Sequence, residues 1–365
     1  MVKIAIDVRM INHSGIGTYL RNLLPCLVNK YEIVLLGSEV ILSKFEWSQS
    51  VQIINCKSEI YSLKEQFELL RKIPECDFFI CPHYNVPVLP VKARQKIVII
   101  HDVYHLAFRS TLSLMQKFYS TFLINFAVRN FDKVITVSRF SESEIIKYTG
   151  IDKGKITTLH LGFNPKIRSL NNREKELTKR KYNLPEKFIF FVGNIKPHKN
   201  LINLLQAYSI LQGKKITHKL VITGSRDGFI TSDREIDTFL EKNSTISENV
   251  LFTGYVDQKD LINIYELADV FVFPSLYEGF GIPPIEAMIA GTPVVTSREA
   301  SLPEVCGDAA LYCDAFQPED IADKIEVILN NEELRNELIL KGKENLLRFT
   351  EEKFVNGWEN ILKNN

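Results

Sequence analysis

The sequence FVFPSLYEGFGIPPIEAMIAGTPVVT, residues 271–296, contains the pattern that decides the fold. A short apolar run at 270–273 predicts a strand buried on both faces, and the chain then breaks at Pro274 into a loop rich in glycine and proline. A helix opened by Pro283 and Pro284 follows and stops at Gly291, after which a second buried strand begins. Strand, loop, helix and strand in this order form one βαβ unit, so the sequence predicts an α/β protein with a parallel sheet.

Two carboxylates mark the place where such units bind ligands, beyond a strand's carboxyl end and near a helix N-terminus. Glu278 lies in the loop and Glu286 lies near the start of the helix, with seven residues between them. Gly279 and Gly281 let the backbone approach a ligand closely, and carboxylates accept hydrogen bonds from vicinal sugar hydroxyls. The stretch therefore indicates a ligand that carries both sugar and phosphate. A surface loop with a glutamate at a helix start would explain the spacing alone, but not the surrounding glycines, prolines and apolar strand.

The motif resembles the E-x7-E signature of the family-4 retaining glycosyltransferases, which have a GT-B fold. Between residues 253 and 320 the resemblance includes TGYV, LADVFVFPS, EGFGIPPIEAM, GTPVV and GDAALYCD, and weaker agreement extends over the whole chain. The chain is most similar to the mannosyltransferase branch that builds bacterial surface polysaccharides. The resemblance implies two Rossmann-like, doubly wound parallel-sheet domains that face a central cleft. It places an acceptor-side domain at 1–168, a nucleotide-sugar-binding domain at 169–345, and a helix at 346–365 that crosses back to the first domain.

The charge distribution agrees with two different halves. Residues 1–168 contain 22 Lys and Arg against 14 Asp and Glu, a net of +8, whereas residues 169–365 contain 23 against 30, a net of −7. A basic first half favours an anionic partner, such as an anionic membrane or a lipid diphosphate, over a random imbalance of surface charge. The aromatic, sparsely basic segment 110–133 predicts a helix, which we interpret as a core helix rather than a membrane-facing one. We predict no nucleic-acid partner.

The six cysteines and the apolar segments indicate the compartment. No cysteine pair has the spacing of a zinc site, so we expect buried, reduced thiols. The sequence shows no signal peptide, and no apolar run reaches the ~20 residues of a spanning helix. These features predict a cytoplasmic enzyme whose membrane contact, if it exists, is peripheral on the cytoplasmic face of the inner membrane.

A glycine-rich segment near the N-terminus follows the first predicted strand. Residues 3–8, KIAIDV, predict a parallel strand, and the segment 12–17, NHSGIG, predicts a loop before a helix at 18–28. The dinucleotide-binding pattern G-x-G-x-x-G is incomplete, because Leu20 stands where its third glycine would be. The resemblance implies that Gly15 and Gly17 face the donor diphosphate and the acceptor.

A histidine and an aspartate end another predicted strand of the first half. The strand at 97–100 runs directly into His101 and Asp102, at the edge of the sheet where this fold places chemistry. On spacing alone a structural histidine is the better interpretation, but the resemblance implies a residue here that faces the donor sugar. Ser141 and Glu144 fit a capping box, so the nearby serines need no catalytic role.

The second half begins with a strand followed by GNIKPHKN, residues 193–200. The resemblance implies an arginine and a lysine here that meet the donor diphosphate. Lys199 matches the lysine, but Asn194 stands in place of the arginine, and Lys196 or Arg226 would have to compensate. A cation at a helix start opposes the helix dipole, which favours a bound anion over a merely solvated lysine.

Further donor contacts are implied by the resemblance alone. Tyr255, in the turn after the strand at 250–252, would lie against the nucleotide base. Ser301 and Leu302 belong to a loop whose backbone N–H groups would help to bind the diphosphate.

The resemblance implies glycosyl transfer with retention, and we expect the reaction to need no metal or other cofactor. The chain contains no D-x-D pair, so we expect Lys199 and loop N–H groups to stabilise the leaving diphosphate. Glu286 would hold the ribose hydroxyls, and Glu278 the donor-sugar hydroxyls beside the N–H groups of Gly279 and Phe280. The acceptor would be a glycan or lipid-diphosphate glycan, and GDP-mannose is the donor that the resemblance favours.

Three other interpretations remain open from the sequence. The same fold could use a UDP-sugar donor. A nucleotide-sugar epimerase or dehydrogenase would need the complete glycine fingerprint, which the N-terminal segment lacks. A non-catalytic two-domain sugar-binding protein would bind free sugar without a nucleotide.

Overall fold

The computed structural model describes residues 1–109, 112–164, 170–224 and 234–363. The chain divides into two compact units. Unit 1 comprises Met1–Phe163 together with Phe349–Asn365, and unit 2 comprises Asn164–Arg348.

Unit 1 alternates strands and helices through residue 158. In chain order its elements are β1 Lys3–Asp7, α1 Ser14–Leu27, β2 Glu32–Gly37, α2 Glu39–Leu42, a 3₁₀ helix Glu46–Ser50, β3 Gln52–Asn55, α3 Leu63–Lys72, β4 Cys76–Cys81, β5 Ala93–Ile99, α4 Tyr104–Ala107, α5 Leu114–Asn130, β6 Lys133–Thr136, α6 Arg139–Thr149, a 3₁₀ helix Lys153–Lys155 and β7 Ile156–Thr158.

The described strands of unit 1 form one parallel sheet in the order β3-β2-β1-β4-β5-β6-β7. β1 pairs with β2 on one side and with β4 on the other, so that Ala5 lies opposite both Val34 and Phe79. Ile4, Ala5 and Ile6 are all fully buried, and because successive side chains of a strand point to opposite faces, the sheet is covered on both sides. The order reverses between β1 and β4, which makes their carboxyl ends the expected ligand-binding edge of this unit.

Unit 2 repeats the alternation. Its elements are α7 Asn172–Tyr182, β8 Phe188–Val192, a 3₁₀ helix Pro197–Lys199, α8 Leu201–Gly213, β9 Lys219–Thr223, α9 Arg234–Lys242, α10 Ser244–Ser247, β10 Val250–Gly254, α11 Gln258–Leu267, β11 Val270–Phe273, α12 Ile282–Ala290, β12 Val294–Ser297, α13 Leu302–Cys306, β13 Ala310–Cys313, α14 Pro318–Asn330 and α15 Glu332–Leu346.

The described strands of unit 2 form a second parallel sheet in the order β10-β9-β8-β11-β12-β13, which reverses between β8 and β11. The stretch 271–296 folds as expected into β11, a loop, α12 and β12, and Phe271 pairs with Val294. The prediction of two Rossmann-like parallel-sheet domains is therefore confirmed.

A final helix, α16 (Glu351–Lys363), belongs to unit 1 although it follows unit 2 in the chain. The fully buried Trp358 donates a hydrogen bond from its indole Nε1 to the Tyr19 hydroxyl over 3.2 Å, and Phe354 packs edge-on against the same tyrosine ring. Lys133 donates to the Ile361 carbonyl over 3.0 Å. Residues 349–363 therefore complete the core of unit 1 beside α1.

Two further expectations concern cysteines and membranes. All six cysteines are buried free thiols, as expected, and burial raises the pKa of Cys306 to about 12. In the part of the chain that the structure describes, no helix combines the length and apolarity needed to cross a bilayer.

Candidate active site

An ion pair occupies the strand ends of unit 2 at its switch point. Lys199 follows β8 and Glu278 follows β11, and the lysine Nζ lies 2.6 Å from Glu278 Oε1 with both side chains largely buried. The buried Ser275 hydroxyl lies 2.6 Å from the same carboxylate oxygen, and the Lys199 ammonium also lies 5.0 Å from the centre of the Phe273 ring. The fold thus brings together a cation and a carboxylate that are 79 positions apart in sequence.

The segment that carries Lys199 is held by its neighbour Asn200. Asn200 has a left-handed backbone, with φ of 58°, between the 3₁₀ helix and α8. Its buried side-chain amide donates to the carbonyl oxygens of Pro274 over 3.1 Å and Ala315 over 2.6 Å. Because buried side-chain amides with both donors satisfied hold one orientation, Asn200 fixes the position of the lysine relative to the end of β11.

Two glycines shape the backbone where β8 and β9 end. Gly193 and Gly224 have φ values of 156° and 152°, which favour glycine. A Cβ on Gly224 would lie 2.1 Å from the Gly193 carbonyl oxygen, so no larger residue fits without a backbone shift. The half-buried Asn194 comes next, in place of the family's arginine, and Lys196 is exposed two residues later. The other candidate for compensation, Arg226, lies outside the described residues.

The loop between β11 and α12 is supported by side chains from the segment after β12. The buried Ser301 hydroxyl lies 2.9 Å from the Glu278 carbonyl oxygen and 2.8 Å from that of Phe280. Gly281, at the N-cap of α12, has a φ of 99°, and a Cβ there would lie 2.8 Å from Leu302 Cδ2. Ser301 and Leu302 thus support the glycine loop, and their backbone contacts with a diphosphate stay a prediction, as do those of Gly279.

Glu286 lies in α12 and contacts a buried tyrosine. Tyr265 in α11 donates its hydroxyl to Glu286 Oε2 over 3.1 Å, and burial raises the pKa of Tyr265 well above its usual value, with the Glu286 charge adding to the effect. The phenol therefore remains a neutral donor that orients the carboxylate. Glu286 is half-buried on the helix that begins at the glycine loop.

Tyr255 is an exposed residue just after β10. Gly254 before it has a φ of 70°, which lets the chain turn away from the sheet. The hydroxyls of Thr253 and Thr223 lie 2.9 Å apart at the ends of β10 and β9. An exposed aromatic ring at this edge can stack on a planar base, and that role stays a prediction.

The interpretation of 12–17 as a loop is wrong, because α1 begins at Ser14 and includes both Gly15 and Gly17. The Gly17 N–H already donates to the His13 carbonyl over 2.9 Å, as in a helix. Gly17 is needed for packing, since a Cβ there would lie 2.3 Å from the Ile11 carbonyl oxygen, whereas a Cβ on Gly15 would meet open space. Of these two glycines, the exposed Gly15 in the first helical turn is the better placed to approach a ligand.

His101 and Asp102 lie beyond β5 and are held by unit 1 itself. His101 Nε2 lies 3.0 Å from the Pro82 carbonyl oxygen, and its ring packs edge-on against Tyr19. Burial lowers the pKa of His101, so the ring is neutral at pH 7. Asp102 Oδ1 accepts a hydrogen bond from the Tyr104 N–H over 2.9 Å, at the first residue of α4.

The predicted capping box at Ser141 and Glu144 is wrong, because α6 begins at Arg139 and Ser138 is its N-cap. The N-cap hydroxyl of Ser138 accepts from the Ser141 N–H. Ser141 lies in the first turn and donates its own hydroxyl to the His101 carbonyl over 2.8 Å. It therefore positions the backbone of the candidate site residue.

Sequence reasoning missed a buried polar network at the switch point of unit 1. Arg9 donates to both carboxylate oxygens of Asp7, at 2.9 and 2.7 Å, and to Glu65 over 2.8 Å. Asn85 donates to the other Glu65 oxygen over 2.7 Å and accepts from the Tyr119 hydroxyl over 2.8 Å. Burial opposes the charge of Arg9, but the two carboxylates raise the pKa of its guanidinium overall.

This network ties β1, α3, the segment after β4, and α5 together through side chains. Asp7 at a predicted strand end, with Arg9 two residues later, was a visible signal for a polar feature here. Glu65 gave no signal, since it is 56 positions from Arg9 and lies on the inward face of an amphipathic helix.

The described residues contain no group of three His, Cys, Asp or Glu side chains arranged to hold a metal ion. The strand ends of unit 2 present one lysine, two carboxylates and glycine-loop N–H groups, and unit 1 separately presents a neutral histidine at its own strand ends. Such groups can bind phosphate and hydroxyl groups and can stabilise negative charge as it develops.

Two family models match consecutive parts of the chain. The model described as Glycosyltransferase Family 4 matches residues 13–167, and Glycosyl transferases group 1 matches residues 172–345. The second match lies within unit 2, and the first covers most of the contiguous part of unit 1.

Several curated proteins are similar in sequence. "O-antigen chain mannosyltransferase B" of Escherichia coli is 33% identical over 62% of this chain and 57% of its own length. "O-antigen chain mannosyltransferase RfbU" of Salmonella typhimurium is 29% identical over 75% of this chain and 70% of its own length. "Serotype-specific mannosyltransferase WbdA" of Escherichia coli is 30% identical over 57% of this chain. The matched region spans 57% of the first of these relatives and 26% of the third.

Solved structures share the fold. The crystal structure of Anabaena Alr3699/HepE in complex with UDP and glucose has a TM-score of 0.80 at 14% identity, with all of both chains covered. That of WaaG, a glycosyltransferase involved in lipopolysaccharide biosynthesis, has a TM-score of 0.75 at 14% identity over 99% of this chain and 100% of WaaG.

Proposed function

From the premise that this chain belongs to the family-4, group 1 glycosyltransferases, we propose that it transfers a hexose from a nucleotide sugar to a growing bacterial surface glycan. The observation that carries the proposal is the Lys199–Glu278 pair at the strand ends of unit 2, where this fold binds nucleotides. Mannose from GDP-mannose is the donor we favour, because several relatives similar in sequence are named as mannosyltransferases. A lipid-linked glycan is the proposed acceptor.

In the proposed mechanism Lys199 and the loop N–H groups receive the charge of the departing diphosphate. The ammonium has three N–H donors, and one of them is directed to Glu278 in the structure described here. A diphosphate that approaches Nζ would draw the lysine toward itself, because phosphate oxygens carry more charge than the carboxylate. Glu278 would then accept hydrogen bonds from hydroxyls of the donor sugar. In the absence of donor, Glu278 thus keeps the Lys199 ammonium positioned for the diphosphate.

Glu286 has a separate role in the proposal, the binding of the ribose hydroxyls. Tyr265 occupies one of its carboxylate oxygens, Oε2, and fixes the direction of the group. Each carboxylate oxygen has room for more than one hydrogen bond, so ribose binding does not require the tyrosine to leave. Tyr265 is accordingly a positioning residue.

Retention at the anomeric carbon and independence of metal ions are parts of the proposal that separate experiments test. Attack from the face of the departing phosphate needs no protein nucleophile, and the positive charge of Lys199 would replace the divalent metal that other transferases use. Activity that persists in excess EDTA, with an axial product linkage from an axial donor by NMR, is the expected result. Complete loss of activity in EDTA, restored by added Mg²⁺ or Mn²⁺, would reject metal independence.

The acceptor and the location of the enzyme follow from the same proposal. A lipid-diphosphate glycan is synthesised at the cytoplasmic face of the inner membrane, and we place the enzyme there as a peripheral protein. His101 and Asp102 at the strand ends of unit 1 remain candidates for sugar contact.

A UDP-sugar donor is the second candidate, since a protein of the same fold was crystallised with UDP and glucose. Thermal denaturation of the protein with GDP, UDP and ADP separates the two. The preferred diphosphate should stabilise by about 2.7 kcal/mol at 100 times its dissociation constant, and the others by much less. Glu286→Ala serves as the control. The variant should keep the fold, but the preferred nucleotide should stabilise it less because the ribose contact is lost.

Two results would reject the proposal at different levels. Stabilisation by UDP alone would replace the GDP-mannose donor and leave the reaction class intact. Stabilisation by free mannose or glucose but by none of the nucleotides would identify a non-catalytic sugar-binding protein.

A further inference from the structure

One face of α5 exposes large apolar side chains. Leu114, Met115 and Phe118 are exposed by 84%, 81% and 76%, and Phe122 follows one turn later. The opposite face, with Leu123 as its centre, is buried in the core of unit 1. α5 therefore packs into the core of unit 1, as the sequence predicted. It also has a second apolar face, which is exposed.

A second helix of unit 1 shows the same arrangement. In α3 the exposed residues Leu63, Phe67 and Leu70 recur at helical spacing, opposite the buried Glu65 and Leu69. Single apolar residues scattered over a protein surface are common. Two rows of exposed leucine, methionine and phenylalanine are not scattered in this way and indicate an interaction surface.

The two rows meet. The ring centroids of Tyr61, just before α3, and Tyr119 in α5 lie 6.1 Å apart. Asn85 joins the same two helices through Glu65 and the Tyr119 hydroxyl, at 2.7 and 2.8 Å. We call the exposed surface formed by the two rows the apolar ridge; it consists of Tyr61, Leu63, Phe67, Leu70, Leu114, Met115, Phe118 and Phe122.

The charges around the apolar ridge are mainly positive. No Asp or Glu occurs between residues 103 and 131, whereas Arg109 and Lys117 flank the exposed start of α5. In α3 the cations Lys64 and Arg71 are exposed beside the apolar row. Glu59, just before α3, is the exposed acid at this edge.

The remaining acid near the ridge is already engaged. The Glu68 carboxylate accepts from the backbone N–H groups of Lys57 and Ser58, at 3.0 and 2.8 Å, and from the Lys72 ammonium at 2.8 Å. Its charge is therefore balanced locally, and the cations Lys64, Arg71, Arg109 and Lys117 outnumber the exposed acids Glu59 and Glu75 near the ridge.

We propose that the apolar ridge docks on the surface of a membrane rich in anionic lipids. Apolar side chains that enter the headgroup region, bordered by cations that meet lipid phosphates, are the pattern of a helix lying in a membrane interface. A second protein chain would need no such excess of positive charge. The inference extends the proposed function, since a lipid-linked acceptor would lie in that membrane, but it rests on the ridge alone.

Vesicle flotation tests the inference with the full chain and without donor or acceptor, so its result is independent of transferase activity. The protein should float with vesicles of phosphatidylglycerol and phosphatidylethanolamine and should remain unbound with phosphatidylcholine at the same salt concentration. The double variant Leu114→Ser/Phe118→Ser should lower partitioning about 100-fold, because each side chain loses its apolar transfer energy. Arg109→Glu/Lys117→Glu should lower binding to the anionic vesicles only, and added salt should reduce the binding of the unmodified protein.

The matched control is Leu340→Ser/Phe316→Ser, which removes the same residue types at 60% and 59% exposure in unit 2. It should float like the unmodified protein. If the serine variant of the ridge fails to fold, as judged by its thermal denaturation, the charge-reversal variant carries the test, since both its sites are on the surface.

Three outcomes would overturn the inference. The unmodified protein could fail to float with anionic vesicles at low salt. The ridge and control variants could float equally well. Sedimentation could reveal a dimer that the ridge variant abolishes while flotation is absent, which would make a second copy of the chain the occupant of the ridge.

Discussion

Replacing Lys199 by methionine separates the two roles that the structure and the proposed function give to this residue. Methionine retains much of the length and apolar volume of the lysine, so the contact with the Phe273 ring is largely kept while the positive charge is removed. The variant leaves Glu278 without its 2.6 Å partner, and it takes from the candidate site the cation that we expect to meet a diphosphate.

The structure sets the size of both effects. Loss of one partner costs about 3–5 kcal/mol in a fully buried ion pair and about 0–1 kcal/mol in an exposed one. Both side chains are largely buried, with 16% and 13% of their surfaces exposed, and the Ser275 hydroxyl remains beside Glu278, so we expect a loss of about 2–3 kcal/mol in unfolding free energy. Loss of a charged hydrogen bond to the diphosphate should weaken nucleotide binding by about 2–3 kcal/mol, which is roughly 30- to 150-fold.

Urea denaturation measures the first effect, and titration calorimetry with GDP and with GDP-mannose measures the second. Glu278→Gln is the matched partner variant. It breaks the same ion pair, but it should weaken GDP-mannose more than GDP, because GDP lacks the hexose that Glu278 is proposed to hold. Lys199→Arg should restore part of the GDP affinity, since the charge returns in a different shape.

A Lys199→Met variant that loses stability as expected but binds GDP and UDP within about twofold of the unmodified protein would contradict the proposed role of Lys199 in diphosphate binding. The lysine would then be only a structural partner of Glu278. Equal losses of GDP affinity in Lys199→Met and Glu278→Gln would likewise show that the ion pair acts on the loop and not on the diphosphate.

The remaining predictions concern the ribose contact, the glycine backbone and acid stability. Glu286→Ala should weaken nucleotide binding by about 1–3 kcal/mol in the same calorimetric assay, and unchanged affinity would remove Glu286 from the site. Gly224→Ala should destabilise unit 2 by about 1–3 kcal/mol, because its Cβ would meet the Gly193 carbonyl oxygen, whereas Gly213→Ala, with open space around it, should be nearly neutral in urea denaturation. Burial, with the neighbouring histidines adding to it, lowers the pKa of His83 to about 3, so only the unfolded chain binds a proton there as the pH falls below about 6.5. Stability should therefore decline from pH 7 toward pH 3, by on the order of 2 kcal/mol at pH 5 from this group, and His83→Gln should show a shallower decline in melting temperature; equal slopes would contradict the assignment.

The sequence predicted those elements whose formation depends on residues close together in the chain. The stretch 271–296 encodes its own strand, glycine loop and helix, because the apolar run, the prolines and Gly291 each act on their immediate neighbours. The same holds for the strand that ends before His101. The predicted start of α1 was wrong because the glycines at its beginning were interpreted as a loop. Gly17 lies inside the helix, where the Ile11 carbonyl oxygen leaves no room for a Cβ.

Contacts between distant positions could not be read from the sequence. Tyr265 and Glu286 meet only because α11 and α12 pack together, and Arg9 meets Glu65 only because β1 lies beside α3. The exposed row on α5 could not be predicted either. Apolar residues occur on all faces of this helix, so its periodicity does not distinguish the buried face from the exposed one. Only the tertiary structure shows that Phe118 lies outside and Leu123 inside.

The discontinuous make-up of unit 1 has a consequence for how the protein matures. Segment 349–365 supplies Trp358, the buried partner of Tyr19, and it leaves the ribosome only after all of unit 2 has been translated. Unit 2 is contiguous in sequence and contains none of this segment. Its fold therefore does not depend on Trp358, whereas that of unit 1 does. We therefore expect a chain that ends before residue 349 to retain a folded unit 2 but to expose the apolar core of unit 1 beside α1.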